Sequence, residues 1–419
     1  MLGISRMAAI PYRSLSRFYD TTLDWFLIRF RLFESAFFDD CGAYILVGDE
    51  TVEGKAGRKT FGINQHYCST YGKAIPSISM FALSVVNVSS KHSYPLCVEQ
   101  LIETEEDRIR KERVKEQRIA GKGGKRGRKA GTKNTVKPES DYPLLRAVKS
   151  CLASLKGKIE PTSEKKHLSL RYWALDGYFG HQAYVDLAEA NGLFLISKLK
   201  RTADLYFPAK ASTEPKRRGR PRLYGDKIDL GKHYPEHDVT TLVKNKLHDT
   251  KKLHNTKKPY ALVQQFKARC RTIKGRLLNV VVLYPNGASA LENRVVLFST
   301  DLTLTAAEII LYYSCRTQIE INFRECKQYF GLSDFKNTKQ ERVTFSINLA
   351  FTLCGISLIL RKGYQKAFNL PFVSTEDVRT MEKASKMAEI IISASSKPDT
   401  NIFNLDKIRE IAKYEAINL

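Results

Sequence analysis

The sequence predicts an α/β protein in which a mixed sheet is flanked by helices. Three observations lead there. Short apolar runs at 43–47 and 172–175 read as buried strands, each with an acid at its end. A strand, helix, strand alternation follows the second run: HQAYVDLAEANG is a helix stopped by Gly192, and LFLISKLK is the next strand. A long amphipathic segment then begins at Thr305, whose spacing to Glu308 is that of a capping box. With 419 residues and 43% hydrophobic content, the chain can bury a sizeable core in two or three domains.

Each stretch has its own signature. Residues 1–40 read as a short helical region, with aromatic and aliphatic residues along one side of SLSRFYDTTLDWFLIRFRLFESAFF. Residues 41–200 form the first part of a core. It opens with the strand runs AYILVGD, KTFGINQHYCST and ISMFALSVVNV, and Asp49 falls just past the end of the first run. Residues 99–138 interrupt this core. LIETEEDRIRKERVKEQRIA suits a charged helix, whereas GKGGKRGRKAGTKNTVKP cannot pack a core and reads as a basic arm. An amphipathic helix at YPLLRAVKSCLASLKGKI leads into the strand that ends at Asp176, with Gly177 supplying a turn.

Residues 201–300 hold a basic Pro/Gly stretch, EPKRRGRPRLYGDK, then the β-like runs YALVQQFKARCR, RLLNVVVLY and NRVVLFST. Residues 301–370 return to the core, with Ile309, Ile319, Phe323 and Phe330 as an apolar helix face. The run 343–360 has no charge and just reaches bilayer length. Its Thr344, Ser346, Asn348, Thr352 and Ser357 favour a buried helix on the sheet, and no membrane is expected. Residues 371–419 carry the helical runs MEKASKMAEIIISA and LDKIREIAKYEA, either an interface or a packed surface pair.

Charge points to a polyanionic partner. There are 69 Lys and Arg against 44 Asp and Glu, a net charge of +25, which favours nucleic acid through counterion release without conferring sequence specificity. Lys125, Arg126 and Arg128 in the basic arm would track phosphates, or simply solvate a linker. Arg218-Gly219-Arg220-Pro221 has the form of a minor-groove hook, with general phosphate contact as its alternative. The eight cysteines make no C-x-x-C pair and read as reduced thiols. Arg6, Arg13 and Arg17 break up any secretory leader, so the cytoplasm, and within it the nucleoid, is the expected location.

The sharpest feature is YYSCRTQIEINFRECKQYFGL. At about 100° per helical residue, Tyr313, Arg316, Glu320 and Lys327 fall within roughly 60° of arc on one continuous helix. One acid among a phenol and two cations suits a metal-bound phosphate; the plainer reading is a solvated face with ion pairs. With Asp49 and Asp176 upstream, three acids arrive in the order strand, strand, helix. Carboxylates are the hard ligands Mg²⁺ takes, and two such ions can hold both oxygens of a phosphoryl displacement.

Here the chain resembles the DDE transposases of bacterial insertion sequences, in the branch with the signature Tyr-x2-Arg-x3-Glu-x6-Lys. The likeness spans roughly residues 40 to 360, with Asp49 in the Asp-Glu-Thr context and Asp176 in LDGYFG. Thr317 stands where the family usually has Trp, and the region before the first acid-bearing strand is short. The resemblance implies an RNase H-like core with a mainly β insertion between the second Asp and the Glu. It implies catalytic, metal-binding Asp49, Asp176 and Glu320, two Mg²⁺ ions replaceable by Mn²⁺, and phosphate contacts from Tyr313, Arg316 and Lys327. The expected partners are transposon terminal inverted repeats and target DNA, bound by a homodimer in a paired-end complex. The expected reaction is metal-dependent cleavage followed by 3′-OH strand transfer. A silent DNA-binding descendant and a nuclease that cuts without joining are the alternatives.

Overall fold

The computed structural model describes residues 10–39, 42–68, 71–119, 142–156, 168–209, 222–248, 261–287 and 291–394. In chain order come α1 (Tyr12–Tyr19), α2 (Trp25–Leu32), β1 (Tyr44–Gly54), β2 (Asn64–Cys68), β3 (Lys73–Asn87), β4 (Ser93–Gln100), α3 (Glu105–Ile119) and α4 (Pro143–Leu155). Then follow β5 (Tyr172–Leu175), α5 (Gln182–Ala190), β6 (Phe194–Leu199), β7 (Leu205–Pro208), β8 (Tyr224–Lys227) and α6 (Thr240–His248). The last group is β9 (Leu262–Cys270), β10 (Arg276–Tyr284), β11 (Val295–Ser299), α7 (Ala306–Cys315), α8 (Gln318–Gln328), α9 (Gln340–Phe368) and α10 (Thr375–Ala394).

The strands form one 11-stranded sheet in the order β2-β3-β1-β5-β6-β11-β10-β9-β7-β8, with β4 also paired to β3. β1 runs antiparallel to β3 and parallel to β5, and β5 runs parallel to β6. A large mixed sheet between helices is consistent with an RNase H-like fold. Alternation along the strands feeds two cores. Leu46, Phe81, Trp173 and Leu195 pack with α2, α4 and α5 on one face. Ile45, Val47, Ala82, Ala174 and Ile196 pack with α7, α8 and α9 on the other.

Three expectations need correction or placement. β1 does not stop near residue 47; its pairing with β3 continues from Tyr44↔Asn87 to Gly54↔Ser77, so Asp49 lies inside the strand. The long partner strand supplies hydrogen bonds that outweigh the turn-like Gly-Asp-Glu composition. The described parts of 201–300 carry strands that continue the central sheet, through β11 on β6 and β10 on β11. The charge-free run 343–360 lies within α9, which is long and apolar enough to cross a membrane; 67% of its most apolar window is buried inside this fold. Lys125, Arg126, Arg128, Arg218, Arg220 and the run LDKIREIAKYEA lie outside the described residues.

A buried arginine fastens the N-terminal helices to the core. Arg29 on α2 is 1% exposed. Its Nε donates to the Leu96 carbonyl at 2.8 Å, and Nη2 donates to Asn348 Oδ1 at 3.0 Å. Nη1 reaches the Asn348 carbonyl and Thr352 Oγ1, both at 3.3 Å. Burial lowers its pKa, but these oxygens replace the lost water. Replacing Arg29 by Met should strand those acceptors and cost about 2–3 kcal/mol, read as a lowered midpoint in denaturant unfolding.

Candidate active site

Strand register brings the two aspartates together. β1 and β5 pair in parallel over Leu46↔Trp173, Val47↔Ala174 and Gly48↔Leu175. The next residue on each chain is therefore Asp49 beside Asp176, on strands about 4.8 Å apart. Parity does the rest. Val47 and Ala174 face the α7–α9 core, so two residues on, Asp49 and Asp176 lie on that same side. Gly48 permits the close approach beneath them: a Cβ there would sit 2.7 Å from the Phe81 ring and 2.9 Å from Leu175. Beyond Asp176 the chain turns at once through Gly177–Phe179. Ser197 Oγ fixes this corner by donating to the Asp176 carbonyl at 2.8 Å.

The third acid arrives on a broken helix. Thr305 and Glu308 form the expected capping box at the start of α7. The single continuous helix expected through Lys327, however, ends at Cys315 and restarts as α8 at Gln318. At the joint, Arg316 N, Ile319 N and Glu320 N each reach back three residues, to the carbonyls of Tyr313, Arg316 and Thr317, as in a tight 3₁₀ turn. Side chains explain it. Ser314 Oγ and Cys315 Sγ bond the Leu311 carbonyl, and Thr317 Oγ1 bonds that of Ser314, the kind of local competition that bends helices.

Lys91 reinforces the break and was not singled out from the sequence. It sits in the β3–β4 turn at φ 58° and is 9% exposed. Its Nζ donates to Ser314 Oγ at 2.7 Å, the Leu311 carbonyl at 3.4 Å and Cys315 Sγ at 3.3 Å. A buried cation thus sits against the negative end of the α7 dipole. Nothing in VSSKHSY signals this, because the partner lies more than two hundred residues away in sequence. After the joint, α8 is anchored through buried Asn322, which donates to Ser84 Oγ at 3.1 Å and Ser93 Oγ at 2.8 Å. The buried Glu325–Arg361 pair, 3.2 Å apart, ties it to α9.

The break aims Arg316 into the three acids. Its Nη1 donates to Asp49 Oδ2 at 2.9 Å and its Nη2 to Glu320 Oε1 at 2.6 Å; its Nε lies 4.0 Å from Asp176 Oδ1. Tyr313 Oη donates to Asp176 Oδ1 at 3.4 Å. The cluster is graded from inside to outside. Side-chain exposure is 13% for Arg316, 20% for Asp49, 44% for Asp176 and 55% for Glu320, so the opening lies on the Asp176 and Glu320 side.

Electrostatics follow that grading. Burial raises the Asp49 pKa, against the pull of Arg316. For Arg316, burial works downward, but the charges of Asp49, Asp176 and Glu320 outweigh it and raise its pKa. Tyr313 is pushed up to about 12 by burial and by the Asp176 charge, so its phenol keeps its proton at neutral pH.

Tyr313, Arg316, Glu320, Asp49 and Asp176 are therefore brought together, and Lys327 is not. Its Nζ donates to the Val52 carbonyl at 2.7 Å and pairs with Glu53 at 3.5 Å, further along β1. Among the described residues no three His, Cys, Asp or Glu side chains stand ready as a metal cage. The three carboxylates instead share one guanidinium. Their chemistry, hard oxygens converging from separate elements on a positive charge, fits a divalent ion of the Mg²⁺ type.

Residues 1–269 match the model of one protein family, DDE superfamily endonuclease. The chain belongs to that family. Within this DDE endonuclease the match takes in Asp49 and Asp176 and ends before Glu320. No curated protein matches the chain. The family makes it a transposase-like nuclease, with DNA as the natural substrate class and divalent metals as the general cofactor of its members.

Two outcomes test this site as a physical object. Lys91→Met should cost about 1–2 kcal/mol and speed hydrogen exchange at the Cys315 to Thr317 amides, with Lys91→Arg restoring part of the protection. Asp49 has a raised pKa when folded, so the folded state holds its proton more tightly. Its contribution is therefore favourable at low pH and is lost as pH climbs from the ordinary carboxylate range through the raised value. The unfolding midpoint of Asp49→Asn should gain on wild type across that window.

Proposed function

We propose that this DDE endonuclease is a cut-and-paste transposase of the Tyr-x2-Arg-x3-Glu-x6-Lys branch. It would cut DNA at transposon ends and join the resulting 3′-OH to target DNA. The observation that carries this reading is the convergence of Asp49, Asp176 and Glu320 on the Arg316 guanidinium, 2.9 Å from Asp49 and 2.6 Å from Glu320. Strand β1, the turn just past β5 and helix α8 contribute one acid each, and Asp176 and Glu320 are open to solvent.

Asp49, Asp176 and Glu320 would hold two Mg²⁺ ions, or Mn²⁺ in their place. When bound, such ions stabilise negative charge on the attacking and leaving oxygens of a phosphodiester. The chain's own residues do the placing. Asp49, inside β1, is the most buried of the acids, and Glu320 is the most exposed. Tyr313 keeps its proton and can donate to a phosphate oxygen. Arg316 offers a planar fork suited to two such oxygens, and Lys327 would add a point charge further along the DNA on leaving the Val52 carbonyl and Glu53. Tyr178, 68% exposed and two residues after Asp176, presents a flat face on which a base can stack. No covalent protein intermediate is required.

The net charge of +25 supports a DNA partner. By the same reading, that partner is the terminal inverted repeats and the target, held by a homodimer in a paired-end complex at the nucleoid. Lys125, Arg126, Arg128, Arg218 and Arg220 would add phosphate contacts. One observation favours the alternative of a silent DNA-binding descendant: a single arginine already neutralises part of all three acids.

Linear DNA carrying the native flanking ends, incubated with protein and Mg²⁺, separates the two. Nicks at the end boundary that vanish with EDTA, and fall by about 10²–10³-fold or more in Glu320→Gln and Asp176→Asn, are expected. Binding without cleavage in wild type, under Mg²⁺ or Mn²⁺, would replace the enzyme with the silent form.

A further inference from the structure

We infer that Arg316 makes metal loading of the acid cluster depend on bound DNA, and so acts as a specificity-determining residue. The inference rests on reading Asp49, Asp176 and Glu320 as metal-binding acids. It assigns Arg316 a task beyond gripping phosphate.

The geometry supplies the argument. Arg316 is nearly buried and donates one nitrogen to the innermost acid, at 2.9 Å, and another to the outermost, at 2.6 Å. Its third nitrogen lies 4.0 Å from Asp176. A divalent ion drawn to these oxygens meets a positive charge already seated among them. It must displace the guanidinium or share the acids with it, and either weakens binding.

Lys327 offers no relief, since it is engaged with Val52 and Glu53. Nor are the acids fully balanced, because three carboxylates face one cation. A phosphate approaching alone is therefore repelled by the acids, although it attracts the arginine.

Metal and phosphate resolve each other's difficulty. A phosphodiester entering from the open Asp176 and Glu320 side presents two oxygens at the spacing of the guanidinium fork. Arg316 can exchange carboxylate oxygens for phosphate oxygens and leave the acids to the metal, whose charge cancels the repulsion. Each ligand removes an obstacle to the other, so their binding is positively and reciprocally coupled. The protein without DNA is thereby kept low in metal, which limits stray hydrolysis. Three acids alone would load whenever the ion was present.

The test measures Mn²⁺ binding directly, by the loss of the free-ion electron paramagnetic resonance signal. The full-length protein is titrated alone and with a short blunt DNA duplex, and duplex without protein supplies the baseline. Wild type should bind Mn²⁺ about tenfold more tightly with the duplex, within the usual range of coupling between sites. Arg316→Gln should bind Mn²⁺ without DNA about as tightly as wild type does with it, and gain little from duplex. Arg316→Lys keeps the charge but loses the two-pronged grip, so its affinity without DNA should fall between them. It also serves if the Gln variant misfolds by circular dichroism.

Equal Mn²⁺ affinity of wild type with and without duplex would overturn the inference, as would equal affinity of wild type and Arg316→Gln without DNA. Asp176→Asn separates the two levels of the reading. If it abolishes binding while Arg316→Gln behaves as wild type, the acids hold metal and only the role of Arg316 falls. If Asp176→Asn leaves binding unchanged, or no form binds Mn²⁺, the metal-site reading falls as well.

Discussion

The parallel pairing of β1 with β5 is short, yet the site is built outward from it. Leu46 to Gly48 lie against Trp173 to Leu175, and both chains then continue to an aspartate. A slip of one residue would leave one acid on its face and send the other to the opposite core. Both flanks resist that slip. β1 is locked to β3 along its whole length, and β5 is held by β6 over Tyr172 to Ala174. Under the pair, Gly48 admits the Phe81 ring and Leu175, so packing also requires this register.

Bringing a third carboxylate to the same place raises an electrostatic difficulty, and the helix joint answers it. Two adjacent aspartates repel, and a glutamate added to them repels further. A straight helix through 305–328 would carry Arg316 and Glu320 on one stripe. With the helix broken, Arg316 points inward while Glu320 stays at the rim. The break is enforced from outside the helix, by Lys91 against the end of α7 and by Asn322 against the sheet. Site geometry is thus a tertiary property, although its residues belong to a local motif.

That division explains what could be read from the sequence. The acids were legible because each follows an apolar run or lies in a four-residue signature, and the Thr305 cap because its partner is three residues away. The strand runs after residue 260 were legible from their β-branched residues, but their joining to β6 was not, since no local feature names a strand partner. The joint at Arg316 was hidden because Ser314, Cys315 and Thr317 are all tolerated in helices, and Lys91, which reinforces the break, comes from a distant turn. β1 ran longer than expected for a similar reason: Gly-Asp-Glu looks like a turn until a fifteen-residue β3 lies beside it. Lys327 had a clear place in the signature, yet its amine is occupied by the Val52 carbonyl.

The position of β11 bears on how the chain is made. β6 is covered on one edge by β5, but its other edge waits for Val296 to Ser299, about a hundred residues later in synthesis, a separation of the kind that slows folding. During that interval a strand with buried Leu195 and Leu199 has an open row of backbone donors and acceptors, the usual starting point for misassembly. The two aspartates have already emerged by then, well before the arginine that offsets them exists. Their repulsion opposes early closure of β5 on β1, so the centre of the sheet gains its full stability only after the last helices have left the ribosome.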